Sequence, residues 1–116
     1  MSIFSDLNTL MEGLGIPVET GSFSDNPPAK YVILTPMAES FEVYADNKPQ
    51  DETQDVRISL FHFGNFIDTK DAIVNAPLEA DYTITDRRYI GFDTETGYHN
   101  YAIDVSKNFN LEKEDE

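Results

Sequence analysis

The hydrophobic positions of the chain fall into two periods. From Thr53 to Phe63, TQDVRISLFHF, they alternate, with Val56, Ile58 and Leu60 pointing one way and Arg57, Ser59 and Phe61 the other. A repeat of two marks a half-buried strand, and the length of this one predicts the centre of a sheet. Ser2–Leu14 repeats differently. Ile3, Phe4, Leu7, Leu10, Met11 and Leu14 share one face of a helix, which Ser2 or Ser5 can cap and Gly13 or Gly15 can end before Pro17.

The other elements follow from the same reasoning. Ile16–Val18 reads as a short edge strand, and Glu19–Lys30, with Pro27-Pro28, reads as a loop anchored by Phe23. Tyr31–Met37 and Phe41–Ala45 read as a hairpin turning at Ala38–Ser40. Asp46–Glu52 reads as a polar loop in which Pro49 bars regular pairing. Asn65 can cap a second helix carrying Phe66, Ile67, Lys70, Ile73 and Val74, which Pro77 stops near Ala76. Tyr82–Phe92 alternates with Tyr82, Ile84, Ile90 and Phe92 in phase, and Arg88 breaks the pattern. Asp93–Gly97 is a glycine-ended turn, and Tyr98–Val105 returns with Tyr101, Ile103 and Val105 on one side.

The order α-β-β-β-α-β-β, without strict alternation of helix and strand, predicts an α+β fold. It has an antiparallel sheet of four to five strands with two helices packed on one face. Residues 1–106 form one domain, and 107–116 form an acidic tail. The uncovered face carries Arg57, Ser59, Phe61 and Phe63, a mixture of aromatic and polar groups suited to contact with another protein.

Charge sharpens this picture. The net charge is −14, with only 8 Lys and Arg. Such a surface repels nucleic-acid phosphates and anionic lipid. It suits solubility, a basic protein partner, or a surface past which DNA slides without sticking. There is no cysteine, which excludes disulfides and thiolate metal sites and favours an intracellular setting. The N-terminal stretch lacks the basic and apolar regions of a signal peptide, and no run approaches the about 18 apolar residues of a membrane span.

Catalytic patterns are not found in the sequence. There is no cysteine nucleophile and no G-x-S-x-G elbow. His62, within the central strand, and His99, after the turn, read as structural histidines, and their separation fits no local zinc motif. The acidic segments 46–51 and 93–97 miss the register of a calcium loop. With 22 Asp and Glu, adjacent acids arise by chance and do not indicate glycosidase chemistry. Arg87-Arg88 is the basic doublet of the chain, able to dock an acidic patch on a neighbour. The expectation is a protein with no cofactor and no enzymatic activity.

The element order is joined by short matches at Leu14-Gly15-Ile16-Pro17-Val18, Tyr31-Val32, Glu42-Val43-Tyr44-Ala45-Asp46, Gly64-Asn65-Phe66 and Glu95-Thr96-Gly97-Tyr98-His99. With these the chain resembles the tail terminator, or tail-to-head joining, proteins of long-tailed phages and prophages of Gram-positive bacteria. The resemblance spans most of the chain. It implies a structural virion protein that forms a ring, commonly a hexamer, on the tail tube. Its partners would be copies of itself, the tail tube protein and the head-tail connector, with DNA passing unbound and no membrane involved. It would be located in the virion tail, and in the host cytoplasm during assembly.

Candidate interface residues are Phe61 and Phe63 for one patch and Arg57, Arg87 and Arg88 for another. Asp46, Asp51 and Glu52 belong to a loop expected to order on assembly. The alternatives are another tail or neck component such as a tube subunit, an acidic inhibitor or DNA mimic, and a small enzyme using His62 or His99.

Overall fold

A computed structural model describes residues 3–20, 28–45 and 48–110, without the side chains of 19–20, 38–45, 48–51 and 109–110. The fold is α+β. Helix α1 (Ile3–Gly13) is followed by strands β1 (Val18–Thr20), β2 (Lys30–Ala45) and β3 (Lys48–Phe63). Helix α2 (Ile67–Glu79) and strands β4 (Thr83–Phe92) and β5 (Tyr98–Asn110) complete the chain. The sheet order is β1-β2-β3-β5-β4. Each of the four long strands is antiparallel to its neighbours among them, and β1 adds a short parallel edge to β2.

As its alternation predicts, β3 is the middle strand. Val56, Ile58 and Leu60 are fully buried, and they meet Val32 and Leu34 of β2, Ile103 and Val105 of β5, and the helices. From α1 come Ile3, Leu7 and Met11, one face at a spacing of four; from α2 come Ile73 and Val74. Both helices therefore cover the same side of the sheet. Helix α1 ends on Gly15, at φ 74°, with Ile16 N–H donating to the Met11 carbonyl and Gly15 N–H to that of Glu12. This pair of bonds closes the C-terminus around a left-handed residue that glycine adopts without strain.

Several expectations are corrected. Ala38–Ser40 is not a turn. β2 runs on through it, with a register shift between Pro36 and Ala38, and pairs with β3 as far as Ala45↔Lys48. A single bulge absorbs the irregular residues that suggested a reversal. Asp51 and Glu52 are not in a loop but in β3, between β2 and β5, while Asp46 lies outside the described residues. Among the described residues Pro49 pairs with β2 alone, since the pairing of β3 with β5 is described from Asp51 onward, and a proline is tolerated where one side of a strand has no ladder to donate to. The short edge strand is displaced to Val18–Thr20; Phe23 lies outside the described residues.

Pro77 does not stop α2 at Ala76 but sits buried inside its last turn. The ring lacks a donor, yet its carbonyl accepts from Ala80 and Tyr82, so the turn closes beyond it. Asn65 does hold the start of α2, its Oδ1 accepting from Ile67 N–H at 3.0 Å. Residues 107–110, expected in the tail, pair with β3 as the end of β5.

The alternation expected for β4 fails in its second half. Register shifts between Ile84 and Asp86 and between Tyr89 and Gly91 each insert a residue, so Ile90 and Phe92 are exposed while Tyr82 is buried. Among the described residues no helix is long and apolar enough to cross a membrane.

Candidate functional site

The side of the sheet away from the helices is built by the odd-numbered half of the β3 repeat. Phe61 lies opposite Tyr31 on β2 and Asn100 on β5, and Phe63 lies opposite Tyr98. These rings form a continuous set. Tyr31 stacks on Phe61 with centroids 5.0 Å apart, meets Tyr98 edge-on at 5.5 Å, and Tyr98 stacks on Phe63 at 4.4 Å. Tyr98 also donates its hydroxyl proton to the Pro28 carbonyl, which ties the set to the segment before β2. Burial, and then Tyr98, push the Tyr31 phenol above its ordinary range.

A pocket of about 260 Å³ opens in this face, lined by Tyr31, Phe61, Tyr98, Asn100 and, from the β4–β5 turn, Asp93 and Thr96. The turn is held by Asp93 Oδ1, which accepts from the N–H groups of Glu95 and Thr96 and lies below its usual carboxylate range chiefly because of the Glu95 bond. Gly97, at φ 82°, brings the chain against Phe63, where a Cβ would stand 2.6 Å from the ring. Asn100 Oδ1 is buried and has no hydrogen-bond partner.

Next to the aromatic set runs a charged stripe. Arg57 forms two bonds with Asp104, Nε to Oδ1 at 2.8 Å and a terminal nitrogen to Oδ2 at 3.1 Å. Arg88 reaches Asp86 in its own strand at 2.7 Å. Two of the three candidate arginines thus have their charge engaged within the subunit. Arg87 is exposed and, among the described residues, has no carboxylate within ion-pair distance.

A second aromatic group, missed in the sequence, lies on the helix side near the start of α2. Phe66 stacks on Tyr89 and contacts His99 and Tyr101, while Phe92 lies 4.8 Å from His99. Tyr89, Ile90 and Phe92 are each about half exposed. The signal was present in the sequence run Tyr89-Ile90-Gly91-Phe92, but the phase of a regular strand assigned part of it to the core.

The two histidines, 37 positions apart in sequence, are cross-strand partners. His62 Nδ1 bonds the Phe63 carbonyl, and His99 Nδ1 bonds the Tyr89 hydroxyl at 2.9 Å. Among the described residues no group of three or more potential metal ligands forms around them or elsewhere.

No protein-family model matches the chain, and no curated protein matches it in sequence.

Proposed function

We propose that this chain is a structural component of a phage or prophage tail, a tail terminator that closes the tail tube as a ring of copies, hexameric in its complete form, and joins it to the head connector. The observation that carries the reading is the division of labour across the sheet. Two helices cover the core of one face, while the other presents an aromatic set beside an ion-paired stripe. An open face of that composition is suited to burial against another protein. The half-exposed Tyr89, Ile90 and Phe92 offer a separate patch for a second contact. A ring built head to tail needs two such different patches on each copy. The charge of −14 keeps DNA from adhering as it passes.

In this reading the protein acts by shape and carries out no reaction. Its working place is the virion tail, reached from the host cytoplasm during assembly. Negative-stain microscopy of the purified chain, alone and with tail tubes, tests the proposal. Closed rings, or caps on tube ends, support it. Long tubes made of the chain alone identify a tube subunit instead, and selective capture of a DNA-binding enzyme in place of any assembly identifies an inhibitor.

A further inference from the structure

We propose that His62 and His99 together bind a late first-row divalent metal ion of the zinc, copper and nickel group, held by one imidazole nitrogen from each of two adjacent strands. The site stands independently of the tail reading. The sequence has two histidines, and register sets them directly opposite one another on β3 and β5. Residues so placed project to the same side of the sheet with Cβ atoms about 4.5–5.5 Å apart. This pair continues the helix-side rows of Leu60 and Tyr101, at the end where α2 begins, and both rings are partly exposed.

The orientation of each ring carries the inference. His99 Nδ1 bonds the Tyr89 hydroxyl at 2.9 Å, and Tyr89 belongs to β4, on the side of β5 away from β3. Nδ1 and Cδ2 flank the point where the ring joins the side chain, so the Cδ2–Nε2 edge of His99 is turned toward β3. Phe66 and Phe92, with centroids at 5.1 and 4.8 Å, hold the ring in place. On β3 the arrangement is reversed. His62 Nδ1 bonds the Phe63 carbonyl. Phe63 N–H donates to the Ala29 carbonyl, just before β2, and in an extended strand the C=O of a residue points the same way as its N–H. The Phe63 carbonyl thus faces β2, and the Cδ2–Nε2 edge of His62 is turned toward β5. The two Nε2 edges face each other between the strands, and among the described residues neither Nε2 has a partner.

The protonation pattern fits a ligand pair. A carbonyl only accepts, so His62 carries its proton on Nδ1 and leaves a lone pair on Nε2. His99 does the same when the Tyr89 oxygen accepts from it. A hydrogen bond from the second ring nitrogen is the usual support of a metal-binding histidine. Two nitrogens on a tetrahedral ion, each bonded at about 2.0–2.1 Å, stand about 3.3 Å apart, a span that two opposed side chains close. Imidazole selects zinc, copper and nickel over calcium and magnesium, which take oxygen ligands. Among the described residues no third His, Cys, Asp or Glu joins the pair, so the remaining positions fall to water.

The test uses the full chain without an affinity tag, with Zn²⁺ as the probe and NMR of the imidazole protons as the readout. Both histidines should shift together and saturate at one ion per chain, while Mg²⁺ at the same concentration shifts neither. His62→Gln and His99→Gln should each weaken binding by at least about tenfold, because the second imidazole of a chelating pair acts at a high effective concentration. Unfolding curves establish that each variant is folded. Zn²⁺ should raise the melting temperature of the wild type, and raise that of either variant less. No shift at millimolar Zn²⁺, or a shift of one imidazole alone, overturns the assignment. So does a single variant that binds as the wild type does, which marks ions held by surface carboxylates. One ion per two chains overturns it as well, since the ion then bridges copies. Each of these outcomes leaves the tail reading standing, because ring formation is read separately by microscopy.

Discussion

Arg57 and Asp104 face one another across β3 and β5, joined by two hydrogen bonds, one to each carboxylate oxygen, on the uncovered side of the sheet. Asp104 is the more enclosed of the two, with 18% of its side chain exposed against 32% for Arg57. Truncating Arg57 therefore leaves a partly desolvated carboxylate without its donor. Arg57→Ala should cost about 1–3 kcal/mol. A cycle with Asp104→Ala, measured by urea unfolding, should give a positive coupling of about 1 kcal/mol, and strict additivity would show that the pair contributes nothing.

Tyr82 is buried with its hydroxyl unpaired, and the Lys107 ammonium lies 4.6 Å above its ring. Burial, and then the Asp6 charge, push its phenol up to about 12 from an ordinary 10.0. The folded state holds that proton more tightly than the unfolded chain. The resulting stability is complete below pH 10.0 and drains away as pH rises toward 12. Tyr82→Phe should be neutral or up to about 1 kcal/mol more stable at neutral pH, since it deletes an unsatisfied group. It should also flatten the alkaline fall in melting temperature, and an unchanged alkaline slope would count against the assignment.

The opposite sign holds for Asp93, whose carboxylate lies below its ordinary 3.8. Its support of the β4–β5 turn is present above that pH and lost as acid protonates the folded state. Amide exchange at Glu95 and Thr96 should accelerate below about pH 4 beyond its intrinsic pH dependence. In Asp93→Ala those amides should be fast throughout, with no such acid step.

Gly97 pairs a left-handed φ with close contact to Phe63. Gly97→Ala should cost about 1–2 kcal/mol from backbone strain alone. It should also swing the half-exposed Phe63 ring away from Tyr98, which near-ultraviolet circular dichroism of the tyrosines would detect in a chain without tryptophan.

Replacing both Tyr89 and Phe92 by Ser removes exposed apolar area from the second patch. Loss of the Tyr89 stacking on Phe66, of the Tyr89–His99 bond and of the Phe92–His99 contact should cost about 1–3 kcal/mol, and unfolding curves establish that the variant is still folded. In the proposed tail assembly, this double substitution should abolish ring formation. Rings that survive the double substitution would exclude this patch from the assembly.

The sequence was most informative where one period ran unbroken. Val56, Ile58 and Leu60 declared both the strand and its buried face, and Ile3, Leu7 and Met11 declared the helix that covers it. It misled where one residue changed the phase. The bulge between Tyr89 and Gly91 turned an expected core strand into an exposed aromatic edge, and the shift at Pro36 passed for a turn. Phe61 and Phe63 were legible as open-face residues because they continue the β3 repeat. Asn100, Tyr31 and Asp93 were not, because three separate segments meet only once register is set. The Arg57–Asp104 pair spans 47 positions and depends on the same register, so no local pattern announces it.

The two irregularities in β4 have a further effect. Among the described residues no strand pairs with the outer border of β4, and a straight border of this kind invites further strands to add without limit. Kinks on either side of Arg87 and Arg88 break the run of main-chain groups into pieces too short to template a neighbour. Extension of the sheet into fibres at this border is thereby discouraged, and any contact made there falls to side chains.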